Sequence, residues 1–475
     1  FPLLLPIQLA LYNWDVLYRS GRFLMRDFGH NYLVGCEPNA ILFSLGDNVT
    51  FPLLYAQEVE GFRTDVRLCN LSYLQTDWYV DQMRRDAYDS PALPIEWTED
   101  RYQGSKGQSA YVLSKKDIES VLIREFQSSN ENKLSRIHFG DYYDTQVYKD
   151  TMLLSDVLDI VRTKDNYAPY NPFGIEKGVI VPASIFKMPI NESSVNWNAL
   201  GSTPAKDFII NVGDNKGGIY RQEIMILEML NNINKDGWKR PMYYAVTIGE
   251  PPLKLNQHSV LEGITYRIVP GEVDSTGVHT DVMFDNMVNK YKWGGIENPN
   301  IYLDENCLRM CRSFRLMFSE LISALLMQGK DDKALIALDK CMEAIPGNTV
   351  PRGIESVAFA DVYYHLGKPE KAQQIIDEIM YRADGSLKWY ASMDVRDMQS
   401  CSTDIREIMN IKLQILDVYQ RFDRDKYDVF AAQIMGETEM FLNNRISFSD
   451  RNHPLDYLMR ITMRGYMFDE DTVVR

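Results

Sequence analysis

Between an apolar run at Ala40 to Leu45 and the pair Thr50 and Pro52, the chain carries Gly46-Asp47-Asn48. A carboxylate and a carboxamide at that point would sit at the carboxyl end of a strand with a helix N-terminus behind them, which is where open parallel sheets bind ligands. Asn70 and Ser72 end the next apolar run, and Asp77 and Trp78 open the helix after it, so both strand ends can line one crevice. The candidate binding set is Gly46, Asp47, Asn48, Thr50, Glu58, Asn70, Asp77 and Trp78. In it Asp47 and Glu58 suit a cation or a sugar hydroxyl, and Trp78 suits stacking on a sugar ring. The competing reading is a turn and nothing more, because Asp and Asn close turns with their own side chains.

Other chemistries find no support. Neither GxxxxGK[ST] nor GxGxxG occurs at this turn. Histidines 30, 138, 258, 279, 365 and 453 are scattered, and none has a second His four residues on, so neither a zinc site nor a Ser-His-Asp triad follows. No cofactor and no metal are expected. The Asn-x-Ser/Thr triplets at Asn48 and Asn70 fall at strand ends and, with Asn191, read as coincidence rather than glycosylation. The six cysteines are too dilute for a disulfide framework. Cys307 and Cys311 lie on one helical face and read as packed thiols.

The elements that must position these residues follow from length and pattern. A chain of 475 residues, 45% hydrophobic and 25% charged, is globular and long enough for two to four domains. Its net charge of −15 opposes nucleic acid and anionic headgroups as partners. No apolar run reaches the ~20 residues of a spanning helix. Phe1 to Leu11 comes nearest, interrupted by Pro2, Pro6 and Gln8, and with no basic region it is not a signal peptide. A start on Phe reads as a cut made just after something else.

Periodicity predicts a helix over 11–34, a strand at 40–45, a helix N-capped by Thr50 with Pro52 in its first turn and Gly61 after its end, a strand at 66–71, and a helix capped by Thr76 or Asp77. That is a βαβ unit with parallel strands. Residues 86–215 lack a sustained period and read as a large insertion of surface loops around helices at 114–127 and 151–163. A helix carrying Ile224, Met225, Leu227, Leu230 and Ile233, then strands at 242–248 and 264–269, return to the sheet. The fold class is therefore an α/β domain over 13–300, preceded by a short segment 1–12.

The last third is helical and repeats. Gly329 is followed by Ala334 and Pro346, and Gly367 by Ala372, at the offsets of the tetratricopeptide pattern: a glycine turn, an alanine at the close approach, a proline at the end. A third pair is expected at 404–421 and 425–441, with Phe422-Asp423 in place of the turn glycine. The helical array spans 301–441, and 442–475, with acidic residues at 469–471, is read as a tail.

Several blocks resemble a family. Pro38-Asn39-Ala40-Ile41-Leu42-Phe43, Gly46-Asp47-Asn48, Thr50-Phe51-Pro52, Tyr55 to Gly61 and Thr64-Asp65-Val66-Arg67 look like a bacterial family of polytopic membrane glycosyltransferase-like proteins, itself similar to the protein O-mannosyltransferases. Asn13-Trp14-Asp15, Arg19-Ser20-Gly21, Thr76-Asp77-Trp78-Tyr79, Trp238-Lys239-Arg240-Pro241 and Tyr302 to Asn306 are also similar to its blocks, in order. The resemblance adds Asp15 to the binding set. It implies a membrane bundle, missing here, that holds the catalytic carboxylate and lipid-linked donor, with Phe1 to Leu11 the remnant of its last helix. It places this region on the extracytoplasmic, periplasmic side of the inner membrane. The sequence departs from the pattern at Val49, where the family has a second Asp, and at Val16-Leu17-Tyr18, usually richer in Asp and His.

The function expected is acceptor or partner binding for that membrane protein, with a glycan as one ligand and no sugar transfer by this chain alone. The alternative is a protein-interaction scaffold built on the helical repeats. An independent hydrolase or transferase using Asp47 and Glu58 lacks a nameable base or nucleophile.

Overall fold

The computed structural model describes residues 3–14, 18, 20–104, 107–112, 151–163, 179–181, 183–213, 218–444 and 446. The chain forms two compact units, Phe1–Gly295 and Ile296–Arg475.

The first unit is built on a five-stranded mixed sheet. Strand β1 (Ile41–Ser44) lies between β2 (Arg67–Asn70) and β9 (Met242–Ala245), both parallel to it. Strand β11 (Thr265–Ile268) adds antiparallel to β9, and β10 (Ser259–Leu261) antiparallel to β11. All residues of β1, β2 and β9 are buried, as expected of strands covered on both faces. The strand expected at 242–248 ends at Ala245 and passes into a tight helical turn, Val246–Ile248.

Three sequence expectations need correction here. The helix over 11–34 is not continuous: Leu4–Tyr12 and Leu24–Val34 are separate helices, and residues 20–23 between them are not helical. The helix after β1 starts four residues early. It runs Asp47–Leu54 with Gly46 as its N-cap, so Thr50 lies inside it and Pro52 in its second turn. Gly46 takes φ +82°, a conformation that glycine adopts without a Cβ penalty, and this lets the chain turn from strand into helix before Thr50. Beyond Leu54 the ladder widens into a π-type turn, Tyr55–Val59, and Gly61 at φ +61° ends it as expected.

The third correction concerns 86–215, whose described residues include strands of two small sheets as well as loops. Strands β3 (Ser109–Val112), β5 (Val179–Val181) and β8 (Ile219–Tyr220) make one small sheet; β4 (Thr151–Leu153), β6 (Ile185–Pro189) and β7 (Asp207–Asn211) make another. The expected helix at 151–163 is Leu154–Thr163, preceded by β4. The expected helix at 114–127 lies outside the described residues. Trp97, Phe186 and Phe208 from this region join Phe43, Leu227 and Met242 in one hydrophobic core. Short strands paired with distant partners leave little local period, which is why the pattern looked irregular.

Over residues 305–443 the second unit is all-helical. Glu305–Met327 pairs with Asp331–Ala344, Glu355–His365 with Pro369–Ala391, and Ser402–Phe422 with Arg424–Asn443. Gly329 and Gly367 make the first two turns at φ +68°; Asp423, at φ −147°, makes the third and caps the following helix through the Lys426 amide. Ala334 and Ala372 are fully buried. Among the described residues, no helix in the chain is long and apolar enough to cross a membrane.

Candidate functional site

The candidate residues divide between the two sides of one helical segment. On the inner side, Thr50 donates to the Gly46 carbonyl at 2.9 Å and accepts from the Asn70 amide at 2.8 Å, with Ser44 Oγ at 3.0 Å. Asn70 in turn accepts from the Tyr73 amide through its carboxamide oxygen at 3.1 Å, and its backbone N–H donates to the Tyr79 hydroxyl at 2.9 Å. All of Ser44, Thr50 and Asn70 are buried. This network ties the ends of β1 and β2 to the start of the helix; its polar groups are satisfied by one another. Val49 is also buried, so the position where the family pattern has a second Asp points into the core.

The outer side collects the others. Asp47 and Asn48 are exposed in the first turn, Glu58 in the last. Between them the segment exposes Phe51 (56%), Tyr55 (45%) and Val59 (68%), spaced four apart. Pro52 has no N–H, which leaves the Asn48 carbonyl without its usual i+4 donor on this side. Tyr88, held at φ +51°, donates its hydroxyl to the Glu58 carboxylate, which holds the phenol above its ordinary pKa. The face thus offers aromatic and aliphatic surface bounded by carboxylate and carboxamide oxygens. The helix that carries it is backed by Leu24–Val34, and the approach is close. A Cβ on Gly29 would lie 2.4 Å from the Pro52 carbonyl oxygen.

Asp77 does not join either group. It pairs with the buried Arg221 guanidinium and accepts from the Gly104 amide at 2.6 Å, while Arg221 also donates to the Gln75 carbonyl at 2.8 Å and the Gly104 carbonyl at 3.0 Å. Trp78 is exposed and packs on Tyr73 and Tyr79, with ring centroids 6.1 and 5.3 Å away. Asp15 lies outside the described residues. Among the described residues no group of three or more His, Cys, Asp and Glu side chains is placed to hold a metal ion.

Other blocks that carried the resemblance position the chain. Arg67 donates to the Gln82 and Arg85 carbonyls at 3.1 and 2.7 Å, in the last turn of the Asp77–Met83 helix and just past it. Asp65 pairs with Arg63, just before its block, and Arg63 clasps the Leu33 and Cys36 carbonyls at 2.8 and 3.1 Å. Arg240 takes the Asn39, Ala92 and Pro91 carbonyls at 3.0, 2.6 and 3.0 Å. Guanidinium groups suit this use because they present five donors in a fixed fork.

Sequence reasoning missed a buried polar centre. The Glu262 carboxylate, 1% exposed, accepts from Tyr243 at 3.1 Å and meets His279 Nδ1 at 2.8 Å, with Arg267 at 3.6 Å. Glu262 and His279 are seventeen residues apart with no local motif, so nothing in the sequence joins them. It also missed Phe51, Tyr55 and Val59 as exposed, since apolar residues in a helix ordinarily signal its buried side.

An α/β unit with a solvent-facing aromatic and acidic helix beside its parallel strands defines the class. The family model of TMEM260-associated domain 2 matches residues 25–288, more than half of the chain, and the chain belongs to that family, which is linked to membrane proteins. Neither the curated proteins nor the solved structures contain a match to this chain.

Proposed function

We propose that this chain is the acceptor- or partner-binding region of a membrane glycosyltransferase-like protein, held on the extracytoplasmic side, with sugar transfer carried out elsewhere in that protein. The observation that carries the reading is the outer side of the 47–59 segment. Phe51, Tyr55 and Val59 are exposed together within the family-matched region, flanked by Asp47, Asn48 and Glu58. Exposed apolar residues scattered singly need no explanation, but a contiguous patch rimmed by polar groups is the usual mark of an interaction site. Membership of a family linked to membrane proteins and the resemblance of the sequence blocks support the location. The three helical hairpins, with glycine turns at 329 and 367 and buried alanines at 334 and 372, are read as tetratricopeptide-like.

The reading is tested with immobilised glycans and glycosylatable Ser/Thr peptides as probes for the purified chain. Binding should fall at least tenfold in a Phe51→Ala/Tyr55→Ala variant with an unchanged melting temperature. Equal binding by the variant and the parent, or none by the parent to any probe, would sink it. Turnover of labelled nucleotide-linked or lipid-linked sugar, lost in Glu58→Gln, would move the chemistry into this chain.

A further inference from the structure

Helix Pro369–Ala391 has 23 residues against the 11 of its hairpin partner Glu355–His365. Along it Glu370, Gln374, Asp377, Tyr381, Gly385 and Lys388 recur at spacings of four, three, four, four and three, so they share one helical face, and all six are exposed. Tyr381 is 85% exposed, and Trp389, beside Lys388, is 60% exposed. A glycine inside a helix weakens it, because glycine has the most backbone freedom to lose. Packing within the chain does not call for Gly385: a Cβ there would meet no atom within 4 Å. The charges of this helix are sorted along its length. Lys371, Glu378 and Asp384 are spent inside the unit, on Asp339, Arg352 and Lys412. Glu370 and Asp377, in the first half, meet no cation among the described residues, and Arg382 and Lys388, in the second, meet no carboxylate there. Glu370, Asp377 and Glu378 line a groove of about 690 Å³ whose one basic side chain, Lys426, is spent on Asp423 and Gln373.

We propose that two copies of this chain pair through this face, with their Pro369–Ala391 helices antiparallel about a two-fold axis between Tyr381 and Gly385. The inference goes beyond the face described above, which lies in the other unit. A two-fold interface must be self-complementary, so each contact occurs twice. With Tyr381 of one copy against Gly385 of the second, Asp377 falls within one residue of facing the second copy's Lys388. The ring occupies the recess that the missing Cβ leaves, and the ammonium group enters the acidic groove. Trp389 adds apolar surface at the edge of the contact. A parallel pairing would instead set Asp377 against Asp377 and Lys388 against Lys388, which like charges oppose. A glycan stacked on Tyr381 and Trp389 would use neither the sorted charges nor Gly385. From Asp377 to Lys388 the helix rises about 16 Å at ~1.5 Å per residue. A contact of that length is small, so the association is reversible and set by concentration.

Sedimentation equilibrium of the full chain, from about 1 to 200 µM, is the experiment. The mass should rise with concentration from that of one copy toward that of two. Gly385→Leu fills the recess at an exposed helical position, so it should weaken self-association about tenfold or more without lowering the melting temperature. Asp377→Lys and Lys388→Asp should each weaken it alone. An equimolar mixture of those two variants should restore it, because every altered charge then meets its opposite across the pair. A parent that keeps the mass of one copy throughout, self-association untouched by Gly385→Leu, or a mixture that stays monomeric overturns the proposal. A monomeric parent that binds immobilised glycans, and loses them in Tyr381→Ala/Trp389→Ala, also overturns it and gives the face to a glycan. Self-association retained in Phe51→Ala/Tyr55→Ala supports the helical face whatever becomes of the α/β unit, and its loss there moves the contact to that unit and overturns the pairing.

Discussion

In the helical unit, Asp304 caps its own helix through the Cys307 amide, and Gly329 and Gly367 turn within their own hairpins. In the α/β unit, Arg240 holds carbonyls of residues 39 and 91–92, and Asp77 is held by Arg221. The first kind of tie is local in sequence, the second crosses 144 to 201 positions. The difference bears on function. A residue type that looks available for chemistry in the α/β unit, such as Asp77, turns out to be spent on a distant partner, and Thr50 is spent on Gly46, Ser44 and Asn70. Residues left over are the ones facing out, and those are the ones a ligand can reach.

The largest effect should come from reversing that division on the 47–59 segment. Val49 is buried, so Val49→Asp loses its apolar burial and places a polar group in the core, at an expected cost of about 3 to 5 kcal/mol. The adjacent Asn48→Asp, exposed in the first turn of the same helix, should lie within about 0.5 kcal/mol of the parent. Urea unfolding measures both. A similar cost for the two would mean that the inner and outer sides are not distinct. A well-folded Val49→Asp would mean that a second family-type carboxylate can be housed here.

The local ties of the helical unit predict a smaller but sharp contrast. Ala372 is fully buried where two helices meet, and Ala372→Phe should overpack that contact and cost about 1 to 3 kcal/mol. Gln374, two positions on and exposed, should accept the same ring with almost no cost. If both variants melt together, the alanine does not mark a close approach and the hairpin reading weakens.

These contrasts also explain what was legible in the sequence. The hairpins could be read because glycine at 329 and 367 and the apolar stripes are features of single helices, and the third pair, Ser402–Phe422 and Arg424–Asn443, lies within two residues of its expected bounds. The parallel pairing of β1 with β2 was legible because only one helix separates them. The two small sheets of the 86–215 region were not, since β3 pairs with β5 and β8, and β4 with β6, across long intervals that no period records. For the site, residue type identified Asp47, Asn48 and Glu58, which do face solvent. It could not separate them from Thr50 and Asn70, because which side of a helix meets the sheet depended on Gly46 starting that helix four residues early.

A pH effect tests one of the long-range ties. His258 Nε2 lies 2.7 Å from the Ile209 carbonyl and its ring stacks on Phe208 at 4.0 Å, a contact between β7 and the turn before β10. Burial pushes its pKa below the usual 6.5. Between that lowered value and 6.5 the unfolded chain takes up a proton that the folded chain does not, so stability should fall as the pH drops below about 6.5 and level off once the folded pKa is passed. Melting at pH 7.5 and 5.5, compared with His258→Gln, isolates the contribution. An identical acid slope in the variant would assign it to other groups.

The smallest expected effect is the most informative about the outer face. Asp47 sits in the first turn of its helix, where a carboxylate interacts favourably with the helix dipole by about 0.3 to 1 kcal/mol at an exposed position. Asp47→Ala should cost no more than that, and Asp47→Asn less, because the site makes no buried contact that either change would break. If the carboxylate also belongs to the binding face, both variants should lose affinity for the probe that Phe51 and Tyr55 engage, out of proportion to the stability change. A loss in both properties by equal amounts would make Asp47 a helix-start residue alone and confine the binding face to its aromatic centre.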